Sequence, residues 1–124
     1  MKSSVTTFSY DRDKGALTSL QTIANVPEDF MGVNNSAEID IDTAGKFLYA
    51  SNRGHDSITV YAIAAKKGTL ATVERVLTQG KTPRGFKIVP SGRYLIAANQ
   101  VADSVVVFKR DSDTGQLKTS YLRK

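Results

Sequence analysis

Ala37, Ile39 and Ile41 alternate with Glu38, Asp40 and Asp42. That period of two predicts a β-strand with one polar face. Thr43-Ala44-Gly45 turns the chain, and Phe47–Ala50 is then continuously apolar, as in a strand covered on both faces. The polar run Asn52-Arg53-Gly54-His55-Asp56 predicts a turn, after which Ile58, Val60 and Ala62 alternate again. Lys66-Lys67-Gly68 turns the chain once more, and Leu70–Thr78 predicts a fourth strand. Upstream, Ser4–Tyr10 and Ala16–Ala24 predict two strands around an Asp11–Gly15 turn. Asn25–Ser36 is irregular, with Pro27, Gly32 and paired asparagines, and it has no helical period.

The order recurs 47 residues later. Gly45, Leu48, Ala50 and Asn52 map onto Gly92, Leu95, Ala97 and Asn99. Asp56, Ser57, Tyr61 and Gly68 map onto Asp103, Ser104, Phe108 and Gly115. A partial copy aligns at an offset of 53, with Ser4, Phe8, Gly15 and Leu17 matching Ser57, Tyr61, Gly68 and Leu70. The extra residues fall in the loop before Ser36. A period of roughly 40–50 residues with four short strands per copy is the signature of a β-propeller blade.

The fold class expected is therefore all-β, a propeller fragment of about two and a half four-stranded antiparallel blades. Residues 1–24 supply the last two strands of one blade, 37–78 a complete blade, and 84–124 an incomplete one with the start of a last strand near Leu117. A lone β-sandwich explains the strands but not the repeat. Each blade buries its faces against two neighbours, and known propellers have roughly 4–8 blades. A chain of this length is expected to be a piece of a larger protein, or to complete a ring with other copies as a homo-oligomer.

Composition narrows the picture. The chain has 124 residues, 40% hydrophobic and 23% charged, which fits one globular unit. No apolar run approaches the roughly 18 residues of a membrane span. MKSSVTTFSYDR has no apolar h-region, so a cytoplasmic location with no membrane partner is expected. The absence of cysteine excludes disulfides and thiolate metal sites. Residues 1–61 carry 5 Lys/Arg against 8 Asp/Glu, and residues 62–124 carry 12 against 4. The basic half admits a nucleic-acid surface, but its charges are scattered and no RNA-binding aromatic motif accompanies them. No nucleic-acid partner is expected. Lysines that guard strand edges, or that meet an anionic small molecule, account for the same charge.

The strings SAEIDIDTAGKFLYASNRGHDSITVY from Ser36 and GKTPRGFKIVPSGRYLIAANQVADSVVVF from Gly80 resemble the bacterial seven-bladed propeller lactonases, the 6-phosphogluconolactonase family. The run SVTTFSYDRDKGALTSLQTIANVPEDF resembles that family's preceding half blade. The resemblance covers nearly the whole chain and about a third of a family member. It implies a hydrolase of phosphorylated sugar lactones in carbohydrate metabolism, in the pentose phosphate pathway, with no metal or cofactor. Asp40 stands where the family usually has histidine, and Gly85 where it commonly has asparagine after the Pro-Arg pair. A propeller module that binds a protein or ligand without turnover is the alternative.

In a propeller blade the loops entering the first strand and those joining the second to the third share one rim of the channel. Those loops hold Glu38, the run Asn52–Asp56, Arg84 and Asn99-Gln100. Lactone hydrolysis needs a base to activate water and a stabiliser for the oxyanion, and a sugar phosphate needs fixed cations. The candidate catalytic residues are Glu38 as base, Arg84 as anion or oxyanion ligand, and the lone His55 as acid–base group. Arg53 and Gln100 are candidate substrate ligands. Asn52, Asn99 and Asp56 recur or have recurring counterparts, which favours structural roles in turns. Asp40 and Asp42 share Glu38's side of the strand, which reads as a solvated acidic face rather than a cation site.

Overall fold

The computed structural model describes residues 3–124, and Met1 and Lys2, which the sequence assigns to the first half blade, lie outside them. Ten strands follow one another: β1 (Ser4–Asp11), β2 (Ala16–Ala24), β3 (Asn35–Ile41), β4 (Phe47–Arg53), β5 (Ser57–Ile63), β6 (Leu70–Leu77), β7 (Pro83–Ile88), β8 (Tyr94–Asn99), β9 (Ser104–Arg110) and β10 (Leu117–Arg123). They form a two-stranded sheet, β1-β2, and two four-stranded sheets, β3-β4-β5-β6 and β7-β8-β9-β10. Every pairing is antiparallel between sequence neighbours. These are two and a half propeller blades.

β10 completes the third sheet, where the sequence leaves that blade incomplete. The reason is physical. β10 is an outer edge strand that buries only Leu117, so it needs no alternation of apolar and polar residues. Its register on β9 also shifts between Thr119 and Tyr121.

Alternation decides which seam each side chain enters. On β4, Phe47 and Tyr49 point one way and Leu48 and Ala50 the other. Phe47 and Tyr49, with Ile58 and Val60 of β5, pack against Phe86, Ile88, Leu95, Ala97 and Phe108 of the third sheet. Leu48, Ala50, Tyr61 and Leu70 pack against Val5 and Ile23 of the first. β4 is therefore buried on both faces, as its unbroken apolar run predicts.

β3 and β7, the opening strands of their sheets, lie against each other. Asp40 on β3 reaches Lys87 on β7 at 3.2 Å, which ties the two strands together. Two faces stay open. Phe8, Tyr10 and Leu17 of the first sheet and Tyr94, Ile96 and Val105 of the third are exposed apolar side chains.

Candidate active site

One end of the sheets gathers four connections: the β2–β3 loop, the β4–β5 turn, the β6–β7 loop and the β8–β9 turn. Asn52, at the end of β4, is fully buried and donates through Nδ2 to the Asn25 carbonyl at 2.8 Å, with Ser57 Oγ and Thr59 Oγ1 also in reach. Its Oδ1 accepts from Asn34 Nδ2 at 3.0 Å. Asn34 Oδ1 in turn accepts the His55 amide at 3.1 Å. Tyr61 donates its hydroxyl to the Ala24 carbonyl and to Asn25 Oδ1, and burial pushes its pKa up to about 12. Asn99 repeats the role of Asn52 one sheet on, donating to the Thr78 carbonyl at 2.9 Å and to Ser104 Oγ at 3.2 Å. The recurring asparagines are thus structural pins between sheets.

The pinned end carries an open depression of about 570 Å³ over the third sheet. Arg84, Gly85, Ala98, Gln100 and Asp103 line it. Arg84 leaves β7 exposed, and its Nη1 approaches Gln100 Oε1 at 3.5 Å. Two candidates from distant sequence positions therefore meet. Among the described residues, neither Arg84 nor Arg53 joins an ion pair. A guanidinium without a carboxylate partner keeps its fork free for an oxyanion.

Arg53 ends β4 half-buried, with Nη2 at 3.4 Å from the Ser36 carbonyl and its buried Nε without a partner. Glu38 sits at a register shift between Ser36 and Ile39, where its amide donates to Ser51 Oγ at 3.0 Å and its carboxylate stays exposed. Arg53 lies beside Glu38's own strand, where it pairs with Asn35.

His55 is differently placed. It does not line the depression. Its Nδ1 lies 2.7 Å from Ser57 Oγ, and the Phe30 ring meets it edge-on at 5.0 Å between centroids. These contacts bind the β2–β3 loop to the β4–β5 turn.

The acidic face expected on β3 is not one face. Asp42, just past the strand, is buried at the opposite end of the sheets and ion-paired to Arg110 at 3.3 Å. Asp40 is engaged with Lys87. Strand alternation put the three carboxylates on one side, but the bulge near Glu38 and the turn at Asp42 separate them. Among the described residues no group of three His, Cys, Asp or Glu is arranged to hold a metal.

Sequence reasoning missed Asp103 and Gly85 as lining residues of the depression. It also missed Asn34 as the strut between the long loop and the turn. The paired asparagines of the β2–β3 loop were the only signal for the strut, and nothing in the sequence says which one points inward.

Two and a half four-stranded antiparallel blades define the chain as part of a β-propeller. The family is then settled by comparison. Residues 1–121 match the model of the seven-bladed β-propeller lactonases, and the chain belongs to that family. A 6-phosphogluconolactonase of Bacillus subtilis is 36% identical over 117 residues, which is 94% of this chain and 34% of that protein. The crystal structure of a Lactobacillus plantarum protein superposes with a TM-score of 0.95 at 31% identity, over 98% of this chain and 35% of its own. A periplasmic gluconolactonase of Pseudomonas aeruginosa superposes at 0.91 with 35% identity, over 96% and 33%. The chain spans about a third of the length of the curated relatives it matches. Among the described residues no helix is long and apolar enough to cross a membrane.

Proposed function

We propose that this chain forms part of the site of a carboxylic ester hydrolase that opens a phosphorylated sugar lactone of the 6-phosphogluconolactone type. The observation that supports it most is the Arg84–Gln100 pair, held over an open depression in a chain of the lactonase propeller family. In this reading Arg84 and Arg53 take the phosphate and the oxyanion. The Glu38 carboxylate removes a proton from water as its oxygen adds to the lactone carbonyl. The ring C–O bond then breaks, and the leaving alkoxide takes a proton to give the open hydroxy acid. Gln100 orients a sugar hydroxyl. His55 shapes the loop above, since its Nδ1 is taken by Ser57. The chemistry calls on no cofactor. The cytoplasm and the pentose phosphate pathway are the expected setting.

The missing channel wall comes from further blades or from other copies of this chain, against the two open apolar faces. The test exchanges the matching segment of the Bacillus subtilis relative for this chain and follows 6-phosphogluconolactone opening. Hydrolysis above the spontaneous rate, abolished by Arg84→Ala, is the expected result. Hydrolysis unchanged by Arg84→Ala and Glu38→Gln together sinks the assignment. Asp40 favours a second reading, a module that binds without turnover. It stands where the family resemblance implies histidine, and its carboxylate is held by Lys87. Binding of 6-phosphogluconate without hydrolysis by the exchanged protein selects that reading.

A further inference from the structure

Arg84 reaches the depression through the loop between β6 and β7, and that loop is strained. Gln79 holds φ at 58° and Thr82 at 63°, in the left-handed region. For a β-branched residue this conformation is an outlier, costing about 1–3 kcal/mol, and it persists only where surrounding contacts impose it. One residue of a different connection makes those contacts. Asp56, in the β4–β5 turn and itself at φ 56°, accepts the Thr82 amide on Oδ1 at 2.9 Å. The same oxygen accepts the Gly54 amide at 3.2 Å. The Asp56 carbonyl accepts the Thr78 amide at 3.0 Å and the Thr78 hydroxyl at 3.1 Å. Both ends of the loop hang on this aspartate.

Thr82 carries the constraint onward. Its carbonyl accepts the Gln100 amide at 2.9 Å, and the Lys81 carbonyl accepts that of Val101 at 3.2 Å. Gly80 is pressed onto Asn99 and Ser104, where no Cβ fits. The strained loop thus fixes both members of the Arg84–Gln100 pair, Arg84 through the chain two residues on and Gln100 through the hydrogen bond.

We infer that Asp56 is the positioning residue of the anion site, holding the Thr78–Thr82 loop in its strained form so that Arg84 and Gln100 face the ligand together. Asp56 touches no substrate. The inference rests on the reading of Arg84 as an anion ligand.

Calorimetric titration with 6-phosphogluconate of the Bacillus subtilis relative carrying this chain in place of its matching segment tests it. Asp56→Ala is expected to weaken binding about tenfold, the scale of one lost charge-assisted hydrogen bond. Asp56→Asn, which keeps an acceptor oxygen, restores most of it. In the Arg84→Ala background, Asp56→Ala should cause a smaller further loss, the part carried by Gln100. If Asp56→Ala fails to fold, Thr78→Val, which removes the hydroxyl bond to the Asp56 carbonyl, loosens the same loop and takes its place, with a smaller weakening expected. Wild-type affinity in the loosened variant, or an undiminished additional loss in the Arg84→Ala background, overturns the positioning role. A chain that does not bind the probe, or binds it equally with Arg84→Ala, overturns the reading of the site instead.

Discussion

Asp42 and Arg110, 68 positions apart, form a buried ion pair at 3.3 Å in the seam between the second and third sheets. Both side chains are almost wholly excluded from solvent, at 1% and 4% exposure. Each is further satisfied. Asp42 Oδ1 accepts the Lys46 and Phe47 amides of the β3–β4 turn. Arg110 donates through Nε to the Gly92 carbonyl at 2.7 Å and through Nη1 to the Tyr49 hydroxyl at 3.2 Å. The Tyr49 hydroxyl donates on to the Gly115 carbonyl at 2.7 Å. Three connections of two sheets are stapled at the end opposite the candidate site.

Breaking such a pair leaves an uncompensated charge in the seam, which costs about 3–5 kcal/mol. Arg110→Ala is expected to lower stability by that amount in chemical denaturation. Asp42→Ala should cost a comparable amount, and the double variant well under the sum. Additive losses would show that the two residues act separately.

Tyr61 makes stability depend on alkaline pH. Burial raises its pKa from the ordinary 10.0 to about 12, so the folded state favours the neutral phenol. The sign follows: the contribution is fully present below pH 10.0 and is lost as pH rises towards about 12. Burial also raises the pKa of Tyr49, with the Arg110 contact opposing it. In a tyrosinate absorbance titration, Tyr61 and Tyr49 should ionise above the ordinary tyrosine range and together with loss of near-ultraviolet circular dichroism. A Tyr61→Phe variant whose titration keeps the same alkaline end as the wild type contradicts this.

The strand plan was legible because it is written in side-chain alternation, which packing between sheets enforces at every position. The staple was not. At the offset of 47, Asp42 and Tyr49 correspond to Val89 and Ile96, so the ion-paired seam has no second copy to mark it. The candidate site was legible only in part. Loop topology correctly joined Arg84 to Gln100, since both hang on connections at one end. It also drew in His55, whose ring turns to Ser57 and Phe30, because sequence fixes where a turn lies and not which way its side chains point.

Gly54 is required by its neighbour as well as by its backbone. Its φ is 125°, and a Cβ there would collide with the Val33 carbonyl oxygen. The long β2–β3 loop lies directly on it. Gly54→Ala should therefore lift that loop and cost on the order of 2 kcal/mol, through both strain and lost contacts. Limited proteolysis between Phe30 and Asn34 reads the displacement. Gly45→Ala is the control, because its added Cβ would meet no atom within 4 Å, although its φ of 69° carries backbone strain alone. Equal protease sensitivity in the two variants would show that the Val33 contact is immaterial.

The open faces set the last expectation. Tyr94, Ile96 and Val105 occupy on the third sheet the positions that Phe47, Tyr49 and Ile58 fill on the second, where the next sheet covers them. On the first sheet Phe8 and Leu17 correspond to Tyr61 and Leu70, which the preceding sheet covers. Both exposed faces thus have the chemistry of a buried seam, and contiguous apolar surface of this kind drives association. The isolated chain is expected to sediment above its 13.5 kDa mass in a concentration-dependent way. Ile96→Glu with Val105→Lys should shift it towards the monomer while strand content by circular dichroism stays constant, because neither side chain enters the seam that is already formed. A wild-type chain that runs as a 13.5 kDa monomer at every concentration tested would show that these faces do not associate with copies of their own chain.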